Sequence, residues 1–145
     1  MNVFVFGAGA SRHAGYPLAS HLGLGLYDWV CERKPSNHDF RIDLDQIKNL
    51  YRGLENIEKV LTDLDESLPG SPAANLQRPL RARLLASLRY AIREYFNYLQ
   101  DTPSPLYERF ARERLQPEDV IITFNYDVAC EREVKRAGLW EISDG

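Results

Sequence analysis

The chain contains few of the residues that build covalent or metal-bound frameworks. Two cysteines occur among 145 residues, Cys31 and Cys130, and they are far apart with no CxxC pair. Disulfide scaffolds and zinc ribbons need several closely spaced cysteines, so the sequence predicts neither. We therefore expect a reducing, cytoplasmic setting and no bound metal.

Two further absences limit the partners that the chain can take. No apolar run approaches the roughly 20 residues that span a bilayer, and the opening residues MNVFVFGAG lack the basic segment of a signal peptide. The formal net charge is −3, and the basic residues are not pooled in one block, whereas nucleic-acid binding needs a basic face. We expect neither a membrane nor a nucleic-acid partner.

Two short apolar runs have the character of buried parallel strands. Residues 2–6 are β-branched or aromatic from Val3 onward and end at a glycine, and residues 120–124 form a second continuous apolar run. Apolar residues at helical intervals predict helices at 18–33, 45–64, 80–99 and 105–114, and after Asp127 as far as Ala137. A third strand is expected to begin within 139–143.

This alternation predicts an α/β fold: a Rossmann-like, three-layer parallel sheet with a helical insert at about residues 40–115. Such sheets normally have five or more strands, and the sequence supplies two and a fragment. We therefore expect residues 1–145 to be the N-terminal part of one domain, truncated at its C-terminus. The remainder would come from a partner chain or further domain, or the chain would form a homo-oligomer.

The segment GAGASRHAGYP lies between the first strand and a helix. Glycines at such a turn let the backbone approach a pyrophosphate, which the helix N-terminus attracts. Gly7 and Gly9 satisfy the first part of the dehydrogenase fingerprint GxGxxG, but Arg12 stands where the third glycine belongs. The acidic residue that would hold the ribose is also missing, since Asp28 lies within a helix. The alternative that the glycines serve only a tight turn stays open.

The segment TFNYD follows the second strand, where open α/β sheets bind their ligands. If the two strands are neighbours, Asn125 and Asp127 face the same crevice as the glycine turn. The alternative is local: Asp127 would cap the following helix, and Asn125 would satisfy backbone groups in the turn.

Together the two motifs resemble the SIR2-like (sirtuin-like) family, most closely its zinc-less bacterial domains, several of which are NAD⁺-consuming antiviral defence effectors. The positions that match are Gly7, Ala8, Gly9, Ser11, Gly15 and Pro17 in the first motif, and Thr123, Asn125 and Asp127 in the second.

The resemblance implies that NAD⁺ is the substrate or ligand, with the adenosine diphosphate part held by the loop from Gly7 to Ser11, Ala10 included. It implies catalytic roles for Asn125, which would contact the nicotinamide-side ribose and place a water, and for Asp127, which would lie near the nicotinamide. Gly15, Pro17 and Thr123 would complete the nucleotide site. Loss of nicotinamide leaves an oxocarbenium-like ribosyl cation, which polar groups stabilise.

The departures from the family restrict the reaction. Leu18-Ala19-Ser20 follows Pro17 where deacylases have a phenylalanine–arginine pair, and the four-cysteine zinc module is absent, so deacylation is not expected. The family's catalytic histidine, in a downstream HG motif, has no counterpart here; His13 is the best-placed histidine to substitute for it, but a structural or solvated role is favoured for a lone histidine. Three functions remain open: NAD⁺ glycohydrolysis, binding of NAD⁺ or ADP-ribose without turnover, and assembly through the helices at 45–64 and 80–99.

Overall fold

The computed structural model of the protein describes residues 1–33, 38–125 and 127–140. In chain order the elements are β1 (Val3–Phe6), α1 (Ala19–Arg33), α2 (His38–Tyr51), α3 (Ile57–Glu66), α4 (Arg78–Leu99), α5 (Pro105–Glu113), β2 (Val120–Thr123) and α6 (Ala129–Arg136), with short 3₁₀ helices at Ala8–Ala14 and Pro72–Asn75. The chain divides into two compact units, one of residues 1–18 with 96–145 and one of residues 19–95. Within the described ranges, no helix combines the length and apolar character needed to cross a membrane.

The first unit contains the sheet. β1 and β2 lie side by side and parallel, with Val3 opposite Val120 and Phe6 opposite Thr123. On one face, the Phe4 ring meets the Phe110 ring of α5 edge to face, with 4.9 Å between centroids. The other face is open. The side chains on that face, which alternate with Phe4 and its neighbours along the two strands and include Val3, are exposed. Within the described residues, helices therefore cover only one face of the sheet.

The predicted Rossmann-like, three-layer sheet is wrong. The described residues are mostly helical, with one two-stranded sheet, and three layers would need more strands and helices on both faces. The insert expected at about residues 40–115 is divided: its residues up to 95 belong to the second unit, which begins at residue 19, and residues 96–115, α5 included, belong to the first unit. A third strand was expected to begin within residues 139–143. Leu139 and Trp140 do not form a strand, and residues 141–143 lie outside the described residues.

The described residues of the second unit form helices and their connections, with no strand. Its core is formed by large aliphatic side chains from all four of its helices and from the connection between α2 and α3. The members that are 2% exposed or less are Leu26, Val30, Leu44, Ile47, Leu54, Ile57, Leu64, Leu84 and Leu88. α1 approaches that connection so closely that a methyl group at Gly23 would overlap the carbonyl of Leu54.

The single helix predicted over 45–64 is two helices. Arg52 and Gly53 adopt positive φ angles of 57° and 147°, which end α2. Asn56 then starts α3, its side chain accepting a hydrogen bond of 3.0 Å from the Lys59 N–H. The apolar periodicity continues across the break because Leu54 and Ile57 are also buried, so periodicity alone did not reveal it.

Candidate functional site

The glycine-rich segment leaves the carboxyl end of β1 as a 3₁₀ helix, where a turn leading directly into an α-helix was expected. Gly7 precedes it in extended conformation (φ −104°, ψ 175°), and its carbonyl accepts the first hydrogen bond, 2.9 Å from the Ala10 N–H. Gly15 ends the segment in the left-handed region (φ 82°), donating to the Arg12 carbonyl at 3.1 Å. The loop is therefore fixed at both ends by backbone hydrogen bonds.

The three glycines of this segment differ in why they need to be glycine. Gly15 requires it for its positive φ. Gly7 and Gly9 are exposed, neither has a positive φ, and a Cβ added to either would meet no described atom within 4 Å. The tight-turn alternative therefore accounts for Gly15 and not for Gly7 or Gly9, whose bare backbone faces open space.

Ser11 is the centre of a buried polar cluster that joins the two sequence motifs. Its side chain is fully buried, and its Oγ lies 3.0 Å from the Asp127 Oδ1, 3.0 Å from the Tyr107 hydroxyl and 2.8 Å from the Asn125 Nδ2. The single Ser11 proton goes to the carboxylate, so Tyr107 and Asn125 both donate to Ser11. The expectation that the motifs converge at the strand ends is confirmed.

Asp127 is buried within this cluster. The oxygen that accepts from Ser11 also accepts from the Ala129 N–H at 3.0 Å, at the start of α6. Only 9% of the residue is exposed. Through its two hydrogen bonds the carboxylate holds Ser11 and the first turn of α6 in place. The N-cap residue of α6 is Val128, without a side-chain cap hydrogen bond, so the capping alternative holds only in that Asp127 accepts from the first N–H of the helix from one position further out.

Asn125 keeps one unused polar atom. Its N–H donates to the Thr123 Oγ1 at 3.1 Å and its Nδ2 donates to Ser11. Its Oδ1 is buried and has no partner among the described residues. A buried carbonyl oxygen without a donor is costly, so the side chain is positioned to accept one more hydrogen bond.

His13 lies beside the cluster with one nitrogen available. Its Nδ1 is 2.8 Å from the Ala10 carbonyl, which can only accept, so Nδ1 carries the proton. The ring meets Tyr107 edge to face, with centroids 4.9 Å apart. Nε2 is buried and lacks a hydrogen-bond partner in the described part of the chain.

Two tyrosines of this region were not predicted from the sequence. Burial raises the pKa of Tyr107, which keeps its hydroxyl protonated as a donor to Ser11. Burial, together with the charge of Asp127, raises the pKa of Tyr16 to about 12. Tyr107 lies on α5, remote in sequence from both motifs, and no local pattern marks it.

The predicted site residues thus fall into two groups. Ser11, Asn125 and Asp127 form the cluster, which Thr123 supports, and the loop through Gly7, Ala8, Gly9 and Ala10 leads into it. Gly15 and Pro17 lie at the far end of that loop, where Gly15 has a backbone role. Within the described ranges, no three His, Cys, Asp or Glu residues are grouped so that they could hold a metal.

No protein-family model, curated protein or solved structure matches this chain. The resemblance to the SIR2-like family therefore stays a prediction that rests on the two motifs. The function is argued below from the geometry of the loop and the cluster.

Proposed function

We propose that the chain binds NAD⁺ at the Gly7–Ser11 loop, and that hydrolysis of the nicotinamide–ribose bond is the reaction that the adjacent cluster suits. The observation that carries this proposal is the pair of glycines at the end of β1. Neither Gly7 nor Gly9 needs glycine for its backbone angles or for packing in the described chain. Close approach of a pyrophosphate to the backbone would explain both.

The polar cluster suits the ribose end of such a ligand. When nicotinamide leaves, the electron pair of the C–N bond neutralises its ring, and a water oxygen adds to the ribosyl cation. The free Oδ1 of Asn125 could accept a hydrogen bond from a ribose hydroxyl or from that water. The Nε2 of His13 is the nearby group able to take the water's proton.

A second candidate is binding of NAD⁺ or ADP-ribose without turnover. It is favoured by the state of Asp127, whose Oδ1 is engaged by Ser11 and Ala129 and whose residue is almost buried. In that position the Oδ1 of the carboxylate holds other groups in place. The catalytic role that the resemblance implied for Asp127 becomes, in this proposal, a positioning role.

The biological setting belongs to the proposal and rests on the resemblance alone. A SIR2-like domain of this zinc-less kind would consume or sense NAD⁺ in the cytoplasm during antiviral defence. Neither candidate function requires a metal.

The test measures NAD⁺ binding by calorimetry and nicotinamide release by chromatography, on the same preparations. Parent protein, Gly9→Ala, Asn125→Ala and His13→Gln are compared. Release by the parent that is lost in Asn125→Ala and His13→Gln while binding persists supports hydrolysis. Binding by the parent with no release supports the second candidate, and a folded parent that binds neither NAD⁺ nor ADP-ribose contradicts both.

A further inference from the structure

A groove lies beside β2, on the side of the sheet that faces α6. It encloses about 380 Å³. Its walls include the side chains of Ile121 and Thr123 from β2 and of Val134 from α6, with Trp140 also lining it. The groove lies within the first unit and includes none of the glycine-loop residues.

The edge of β2 that lies away from β1 has no backbone partner among the described residues. The N–H groups of Val120 and Phe124 donate to the carbonyls of Asn2 and Phe6 at 2.9 and 3.0 Å. In a parallel pair every second residue bonds to the neighbouring strand, so the N–H and C=O groups of Ile121 and Thr123 point to the opposite edge. Among the residues that the structure describes, no strand lies there.

The groove is also lined by a carboxyl group, that of Glu131, which is bonded to its own backbone N–H and has one oxygen without a partner among the described residues. The Oε2 of Glu131 is buried and unpaired within the described chain, and burial together with the charge of Asp127 raises the pKa of this carboxyl. Asp119, the other charged residue of the lining, is already bonded to Asn2 and to the Gln116 N–H. The lining includes no lysine or arginine, so no described cation of the groove pairs with Glu131.

We propose that the free edge of β2 binds an extended segment of a partner protein, apolar at alternate positions and with an arginine that pairs with Glu131. Its backbone bonds to Ile121 and Thr123, and its alternate side chains enter the groove, as in strand addition to other sheets. Arginine fits because its guanidinium binds a carboxylate through two parallel hydrogen bonds. A second copy fits poorly, since symmetric pairing of two such edges would bring acidic grooves together.

The probe is a fluorescein-labelled peptide, Thr-Ile-Thr-Arg-Thr-Val-Thr, with blocked ends, whose isoleucine, arginine and valine share one face. We expect saturable binding in fluorescence anisotropy. A matched peptide with glutamate in place of arginine should bind at least about tenfold more weakly, as should the arginine peptide to Glu131→Gln. The Glu131→Arg variant should reverse the preference between the two peptides, which general loss of structure would not do.

The backbone part of the proposal is tested with Ile121→Pro. The N–H that this change removes faces the free edge, so the ladder between β1 and β2 remains and far-UV circular dichroism should be unchanged. Binding of the arginine peptide should be lost.

A dissociation constant above about 1 mM for the parent, equal affinity for both peptides, or undiminished binding to a folded Ile121→Pro variant would overturn the proposal. So would a dimer of the parent that Ile121→Pro dissociates, because the edge would then pair with a second copy. Failure here leaves NAD⁺ binding untouched, since the glycine loop is not involved.

Discussion

The substitution Gly9→Ala separates a ligand-binding role from a structural role at the glycine loop. The added methyl group meets no described atom within 4 Å, and the residue does not have a positive φ. Alanine in a conformation that it tolerates typically stabilises a protein by roughly 0.4–1 kcal/mol. The free energy of unfolding should therefore stay the same or rise slightly, and Gly7→Ala should behave alike.

Gly23→Ala is the matched control for stability. There the methyl group would overlap the carbonyl of Leu54, and overpacking of this kind costs about 1–3 kcal/mol. Urea denaturation followed by circular dichroism should place the Gly23→Ala midpoint clearly below the parent and the Gly9→Ala midpoint at or above it.

Affinity should show the opposite ranking. If a pyrophosphate contacts the Gly9 backbone, the methyl group fills that space, and NAD⁺ affinity measured by calorimetry should fall by at least about tenfold, or 1.4 kcal/mol. Folded Gly23→Ala should keep the parent affinity. Unchanged NAD⁺ affinity in Gly9→Ala would refute the reasoning about the loop, and an unfolded Gly9→Ala would refute the description of its surroundings.

Three further predictions concern burial and packing. Ser11→Ala should lower the free energy of unfolding by about 1–3 kcal/mol in urea titrations, because it removes the centre of a buried hydrogen-bond network; no loss would show that the network contributes nothing. Burial raises the pKa of the Cys130 thiol to about 12, so its reactive thiolate forms only at strongly alkaline pH. Disulfide reagents at mildly alkaline pH should label the half-buried Cys31 first, and equal rates would contradict this. Phe4→Ala should destabilise by about 2 kcal/mol or more, whereas Val5→Ala, on the open face, should cost less than about 1 kcal/mol; similar losses in thermal or urea unfolding would show that the open face is covered.

The convergence of the two motifs could be predicted because it follows from local rules. Two continuous apolar runs are typical of neighbouring parallel strands, and the carboxyl ends of parallel strands meet at one edge. The 3.0 Å hydrogen bond between Ser11 and Asp127, which are 116 positions apart, is the result. The assignment of Asp127 to helix capping was equally local, but the N-cap is Val128, and Asp127 accepts from the Ala129 N–H from outside the helix.

The fold class could not be predicted in the same way. Strand-like and helix-like patterns show which elements form, but a three-layer sheet depends on how many strands pair, and that is a long-range property. Gly53 shows a similar limit, since its φ of 147° ends α2 inside an uninterrupted apolar periodicity. Tyr107 could not be assigned to the cluster because only the packing of α5 against the sheet places its hydroxyl next to Ser11.

NAD⁺ binding at the glycine loop is tested most directly by titrating nitrogen-15-labelled protein with NAD⁺ and following the backbone amide resonances. The geometry predicts the largest shifts at Gly7, Gly9 and Ser11, with smaller ones at Asn125. It predicts little change at Gly23, which belongs to the other unit. NAD⁺ binding at the glycine loop would be contradicted by a folded protein whose loop amide resonances do not shift at saturating NAD⁺. Shifts confined to residues 19–95 would contradict it as well.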